Sequence, residues 1–194
     1  MLWLVIGLVL FIAAHSVRIV ADDWRTRTLA RVGPGGWRAM VSVASIAGLA
    51  LITLGYGQAR LDPVWLWLPP LWTRHLAALL TLAAFVLVAA TYVPGNHLKA
   101  AVGHPMVLGV KVWAFAHLLA NGTLADLLLF GGLLAWAIAS FAAARRRDRL
   151  AGALRPPVAV AGTVITLTVG VLSWAAVAFW LHLALFGIAP FGRA

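Results

Sequence analysis

The chain contains no cysteine and no glutamate. The first absence excludes disulfides, thiolate metal sites and a cysteine nucleophile. The second leaves five acidic residues, all aspartate, too few to favour paired-carboxylate catalysis or a carboxylate-bridged metal site. Charge is scarce as well: 10% of the 194 residues, against roughly 25% in a soluble domain. Apolar residues take that place at 63%, with ten tryptophans, several near the ends of apolar runs where membrane-interface aromatics sit. The composition is that of a polytopic membrane protein of a bacterial inner membrane, with one transmembrane domain over residues 1–194 and the lipid bilayer as its surroundings. The net charge of +10 does not indicate a nucleic-acid partner, because the basic residues lie between apolar runs with no exposed domain to carry a groove-reading element.

Six apolar spans can be drawn: Leu2 to Ala21, Ala39 to Gly57, Leu71 to Val93, Met106 to Ala120, Leu124 to Ala144 and Val158 to Phe186. A spanning helix needs about 20 residues, so five qualify and the fourth is short. Pro105 suits the first turn of that fourth helix, and Asn121-Gly122 suits its stop. Asn121 is then expected to bond to the backbone of neighbouring helix ends, since an open helix end is not tolerated in lipid. The first span lacks the basic start and small-residue cleavage site of an export signal. The fold class expected is all-α, a transmembrane helix bundle of about six helices.

Loop charges give an orientation. The first, third and fifth loops hold Arg25, Arg27, Arg31, Arg38, Lys99, Arg145, Arg146, Arg147, Arg149 and Arg155; the other loops and the tail hold Arg60, Arg74 and Arg193. Ten against three puts the odd loops in the cytoplasm and both termini outside. The first loop, Asp22 to Arg38, carries Gly33-Pro34-Gly35-Gly36 as turn chemistry. The second, Gln58 to Pro70, reads as a proline-stiffened aromatic cap along the outer interface. No loop can hold a soluble catalytic domain, so any chemistry sits in or beside the membrane.

Ionisable groups inside hydrocarbon are costly and therefore functional candidates. The polar set is His15, Ser16, Arg18, His75, Lys111, His117, Asp126 and His182. At about 1.5 Å per residue from the inner interface, His15 lies about 10 Å deep and His117 about 18 Å. His104 is at the inner interface itself, and His75 and His182 lie far out. Two neutral imidazoles without thiolates suit a haem iron, whereas zinc or copper usually wants a third protein ligand. Arg18, one turn from His15, is placed to meet a haem propionate or Asp22. Trp113, one turn from His117, is placed to pack on a porphyrin. Simpler roles exist for each: a backbone carbonyl or serine for a lone histidine, snorkelling for Arg18 and Lys111, helix packing for Trp113, and an ion pair with Arg74 for Asp126.

One stretch is specific. Gly103 to Gly122 reads GHPMVLGVKVWAFAHLLANG, and with HSVR at His15 to Arg18, GYGQAR at Gly55 to Arg60 and RHLA at Arg74 to Ala77 it resembles the NnrU family. That family is named from denitrification gene clusters, which implies a link to nitric oxide metabolism. It is similar to zeta-carotene isomerase, an integral membrane haem b enzyme. Matching by motif, the resemblance implies His15 and His117 as axial ligands of haem b. The isomerases carry a cysteine where Ala114 stands here, so no cysteine ligand switch is available. The HP motif is also similar to the isoprenylcysteine methyltransferase superfamily, which binds its cofactor around such a helix. That resemblance implies a cofactor site around His104 and Pro105, with Gly103 replacing the Arg of its RHP motif.

The reading is a haem b-binding membrane protein of the isomerase or redox class, with a hydrophobic small-molecule substrate. Its cofactor-binding residues are His15, His117, Arg18, Trp113 and His104; its metal ligands are His15 and His117; no residue is assigned to catalysis. The alternatives are a methyltransferase-like protein and a non-enzymatic membrane assembly factor.

Overall fold

The computed structural model describes residues 1–154 and 156–192; Arg155 and Arg193, both counted among the loop charges, lie outside the described residues. The described chain is all-helical: α1 (Leu2–Val20), α2 (Asp22–Ala59), α3 (Leu71–Tyr92), α4 (His97–Val102), α5 (Pro105–Ala120), α6 (Leu124–Leu150) and α7 (Val160–Phe186). Five of these, α1, α2, α3, α6 and α7, are long and apolar enough to cross a membrane, and α5 at 16 residues is shorter. At about 1.5 Å per residue, α5 reaches about 24 Å against roughly 30 Å of hydrocarbon.

Two expected loops are largely helical. Asp22 to Arg38 is helix except at Gly33, whose φ of 73° and ψ of 171° break it for one residue. Asp22 and Asp23 occupy the first turn, where acidic groups suit the helix dipole. Pro34 then stands at the start of a new helical run, where a missing N–H does no harm. Trp24 and Trp37 meet edge to face across the kink at 5.9 Å, and the Arg25 guanidinium lies 5.9 Å over Trp37. The third loop contains α4, because Asn96 caps it by accepting from Lys99 N–H at 2.7 Å.

The chain folds as two compact units. One comprises Met1–Trp67 with Gly122–Ser140; the other comprises Leu68–Asn121 and the chain from Phe141 onward. In the first unit α1 and α2 pack with backbones nearly touching. A Cβ on Gly55 would stand 2.1 Å from the Leu4 nitrogen, and one on Gly7 2.6 Å from the Ile52 nitrogen. Gly48 faces Phe11 in the same way, so these glycines serve close packing rather than leaving room for a cofactor.

The loop between α2 and α3 is pinned to the start of α6. Leu66 and Trp67 donate to the Gly122 carbonyl at 2.8 and 3.2 Å, and Leu124 donates to Val64 at 2.8 Å. A Cβ on Gly122 would fall 2.0 Å from the Trp67 carbonyl oxygen, so only glycine fits. Thr123 and Asp126 form a reciprocal capping box. Asp126 is buried and accepts from the Tyr56 hydroxyl at 2.5 Å and from Thr123 N–H at 2.9 Å. Its partners are therefore Tyr56 and Thr123, in place of the Arg74 pairing expected from sequence. A π-helical turn at Leu127–Gly131 follows.

In the second unit α3 packs against α5 and α7. Gly109 lies against Ala84 and Val88 of α3, and a Cβ on Gly170 would stand 2.6 Å from the Val86 Cα. The Trp174 indole donates to Thr81 at 3.1 Å. Buried Asn96 also donates to the Ala90 and Val93 carbonyls at 2.9 and 2.5 Å, closing the end of α3. Pro105 is the first residue of α5, which stops at Ala120 as its sequence signals require.

Candidate functional site

His15 stands on α1, where its Nδ1 lies 2.8 Å from the Phe11 carbonyl. A carbonyl only accepts, so Nδ1 carries a hydrogen. Phe11 stacks on the imidazole at 4.3 Å, and Trp136 of α6 meets it edge-on at 5.8 Å. The Trp136 Nε1 and the Ser140 hydroxyl are buried and have no hydrogen-bond partner among the described residues. An apolar groove of about 410 Å³ begins one turn earlier on the same helices, lined by Val5, Leu8, Val9, Ile12 and Ala13 of α1 and Leu128 and Gly132 of α6.

His117, in the other unit, repeats the local pattern. Its Nδ1 lies 2.9 Å from the Trp113 carbonyl, so that nitrogen carries a hydrogen. The Trp113 ring packs on its imidazole at 4.6 Å. Asn121 donates to the His117 carbonyl at 2.8 Å, so it closes its own helix rather than a neighbouring helix end as expected. The reason is reach: a short amide side chain one turn on meets the last open carbonyls of the helix that carries it.

Both histidines are thus oriented through Nδ1 by a backbone carbonyl, as metal-ligating imidazoles commonly are. That geometry fits haem. The carbonyl bonds also satisfy the simpler role expected of a lone intramembrane histidine. Arg18 sits exposed in the last turn of α1, and Asp22 pairs with Arg25 at 3.6 Å instead of with Arg18. Among the described residues no cluster of three or more His, Asp, Glu or Cys side chains is placed to hold a metal ion. Haem needs only two axial ligands from protein, so this does not bear on it.

His104 precedes α5 and its environment is different. Its Nε2 lies 2.9 Å from Asp148, whose carboxylate also has Arg145 at 3.7 Å. Gly103, at a φ of 76°, lets Arg145 and Asp148 approach: a Cβ there would sit 3.0 Å from the Arg145 Nη1. These groups line a cavity of about 390 Å³ with Lys99 and Arg149. His75 is exposed on α3, and His182 bonds to the Ile188 carbonyl at 2.8 Å. Sequence reasoning missed Tyr56, Trp136, Ser140 and the pairing of His104 with Asp148. Only Tyr56 lay in a quoted motif.

No curated protein and no solved structure matches the chain. A family model described as NnrU protein matches residues 3–190, and the chain belongs to the NnrU family.

Proposed function

We propose that this NnrU-family protein binds haem b with His15 and His117 as its axial ligands, and that it acts on a hydrophobic small molecule as an isomerase or redox protein. The observation that carries this reading is the shared state of the two histidines. Each gives its Nδ1 hydrogen to the carbonyl four residues earlier, the kind of backbone bond that orients a metal-ligating imidazole. Arg18 supplies a cation for a propionate, and Trp113 an aromatic face. When bound, haem supplies iron-centred chemistry inside a largely apolar chain. The chain's own contribution is to orient both imidazoles and to surround His15 with Phe11 and Trp136. The test is a visible spectrum of protein expressed with haem supply. A Soret band in the wild type that is lost in His15→Ala and in His117→Ala is expected; a wild type with no Soret band after haem loading overturns the reading. A link to denitrification or nitric oxide metabolism is part of the proposal, and nitric oxide binding to the reduced protein, read in the same spectra, tests it.

A second reading has an observation of its own. The cavity at His104 brings Lys99, Arg145 and Arg149 around the His104–Asp148 pair, which suits an anionic or zwitterionic cofactor as in the methyltransferase-like alternative. Calorimetric titration with S-adenosylmethionine tests it. We further propose a bacterial inner-membrane location with both termini outside. A C-terminal reporter active only in the cytoplasm overturns that orientation.

A further inference from the structure

We propose that Trp136 and Ser140 hold a haem propionate beside His15, with the porphyrin's apolar edge in the groove between α1 and α6. This rests on the haem reading above and assigns residues that the sequence did not single out. Other side chains of the same kind find partners within this protein. Ser45, Thr53 and Thr166 return their hydroxyl hydrogens to the carbonyl four residues earlier, at 2.6, 2.9 and 2.8 Å. The Trp174 indole finds Thr81 at 3.1 Å. Ser140 and Trp136 do neither. Ser140 is only 8% exposed, which leaves its hydroxyl little access to bulk solvent. A buried donor without an acceptor is expensive, and two of them together point to an acceptor that a ligand brings.

The two donors lie four residues apart on α6 and therefore share one face. The Trp136 ring meets the His15 ring edge-on, so this face is beside the candidate ligand. One turn earlier on both helices the lining becomes wholly apolar, with Val5, Leu8, Val9, Ile12, Leu128 and Gly132. The occupant must combine an apolar body, an oxygen acceptor that takes two hydrogen bonds and a centre that an imidazole recognises. Haem b meets all three, because its propionate accepts from N–H and O–H while its vinyl edge is apolar. Arg18, one turn past His15, adds a positive charge on the propionate's side of the ring.

The experiment uses the full chain in detergent and two probes, haem b and its dimethyl ester, in which both propionates are capped. Dissociation constants are read from Soret titrations of the wild type, Trp136→Phe, Ser140→Ala and the double variant. Loss of a hydrogen bond to a charged acceptor is expected to weaken haem b binding about tenfold per substitution, and the ester by much less. The Soret position should stay that of the wild type, since axial ligation is untouched. The wild type alone supplies a control that needs no variant: it should bind the ester more weakly than haem b. Equal affinity for the two probes, or unchanged haem b affinity in the double variant with a normal Soret band, overturns this inference and leaves the axial assignment standing. Unchanged affinity together with a co-purifying phospholipid in the groove has the same meaning. A wild type with no Soret band overturns both.

Discussion

His15 in the first unit and His104 in the second are each hydrogen-bonded through one ring nitrogen, yet their surroundings are opposite. His15 gives its hydrogen to a neutral backbone carbonyl, and the side chains beside it hold two more donors with nothing to receive them. His104 gives its hydrogen to a carboxylate that also faces Arg145, so donors and acceptors there already match. The difference lies in the medium. A half-exposed cluster can complete itself with water and counter-ions, whereas buried donors inside apolar helices wait for a partner or lose their hydrogen bonds altogether. Surplus donors at depth are thus a sharper sign of a ligand than a charged cavity at the membrane face.

The largest expected effect tests this contrast directly. His15→Ala should abolish the Soret band of haem-loaded protein and His104→Ala should leave it intact, both read by absorption spectroscopy. The reverse result would move the cofactor to the His104 cavity and break the comparison. A second test asks how rigidly the first unit holds its helices. Gly55→Ala places a Cβ 2.1 Å from the Leu4 backbone and should destabilise by roughly 1–3 kcal/mol, or prevent folding. Gly109→Ala meets its nearest atoms at 3.1 Å and should cost less. Thermal unfolding in detergent ranks the two, and a larger loss for Gly109→Ala would contradict the packing described.

Smaller effects sharpen the account of polar groups. Tyr56→Phe removes the hydroxyl from buried Asp126 and should destabilise by about 1–3 kcal/mol in denaturant titration. No change would mean that Thr123 alone satisfies the carboxylate. The smallest effect belongs to the His104–Asp148 pair, whose side chains are 32% and 30% exposed. Solvent screening should hold its coupling in a double-mutant cycle of His104→Ala and Asp148→Ala to about 1 kcal/mol or less.

Much of the fold was legible in the sequence because its signals are local. Spans follow from runs of apolar residues, and α5 starts at Pro105 and stops before Asn121-Gly122 through capping chemistry confined to a few positions. The first loop misled because Gly33-Pro34-Gly35-Gly36 reads as a turn, while a single left-handed glycine followed by a helix-starting proline interrupts the helix for only one residue.

His15, His117, Arg18 and Trp113 were visible as polar or aromatic residues at helical spacing, and both histidines bond to the carbonyl four residues earlier. Partners across the chain were not visible. Tyr56 and Asp126 are 70 residues apart, and His104 and Asp148 are 44 apart. Trp136 and Ser140 look like ordinary packing residues until their hydrogen bonds are sought and not found. The sequence by itself determined which segments are long and apolar enough to span and where α5 begins and ends, because hydropathy and capping act within one or two turns. Only the tertiary structure decided which polar groups meet and which are left without a partner. That depends on the rotation of each helix about its axis and its register against its neighbours, and both are set by side-chain packing along the whole length of the helices.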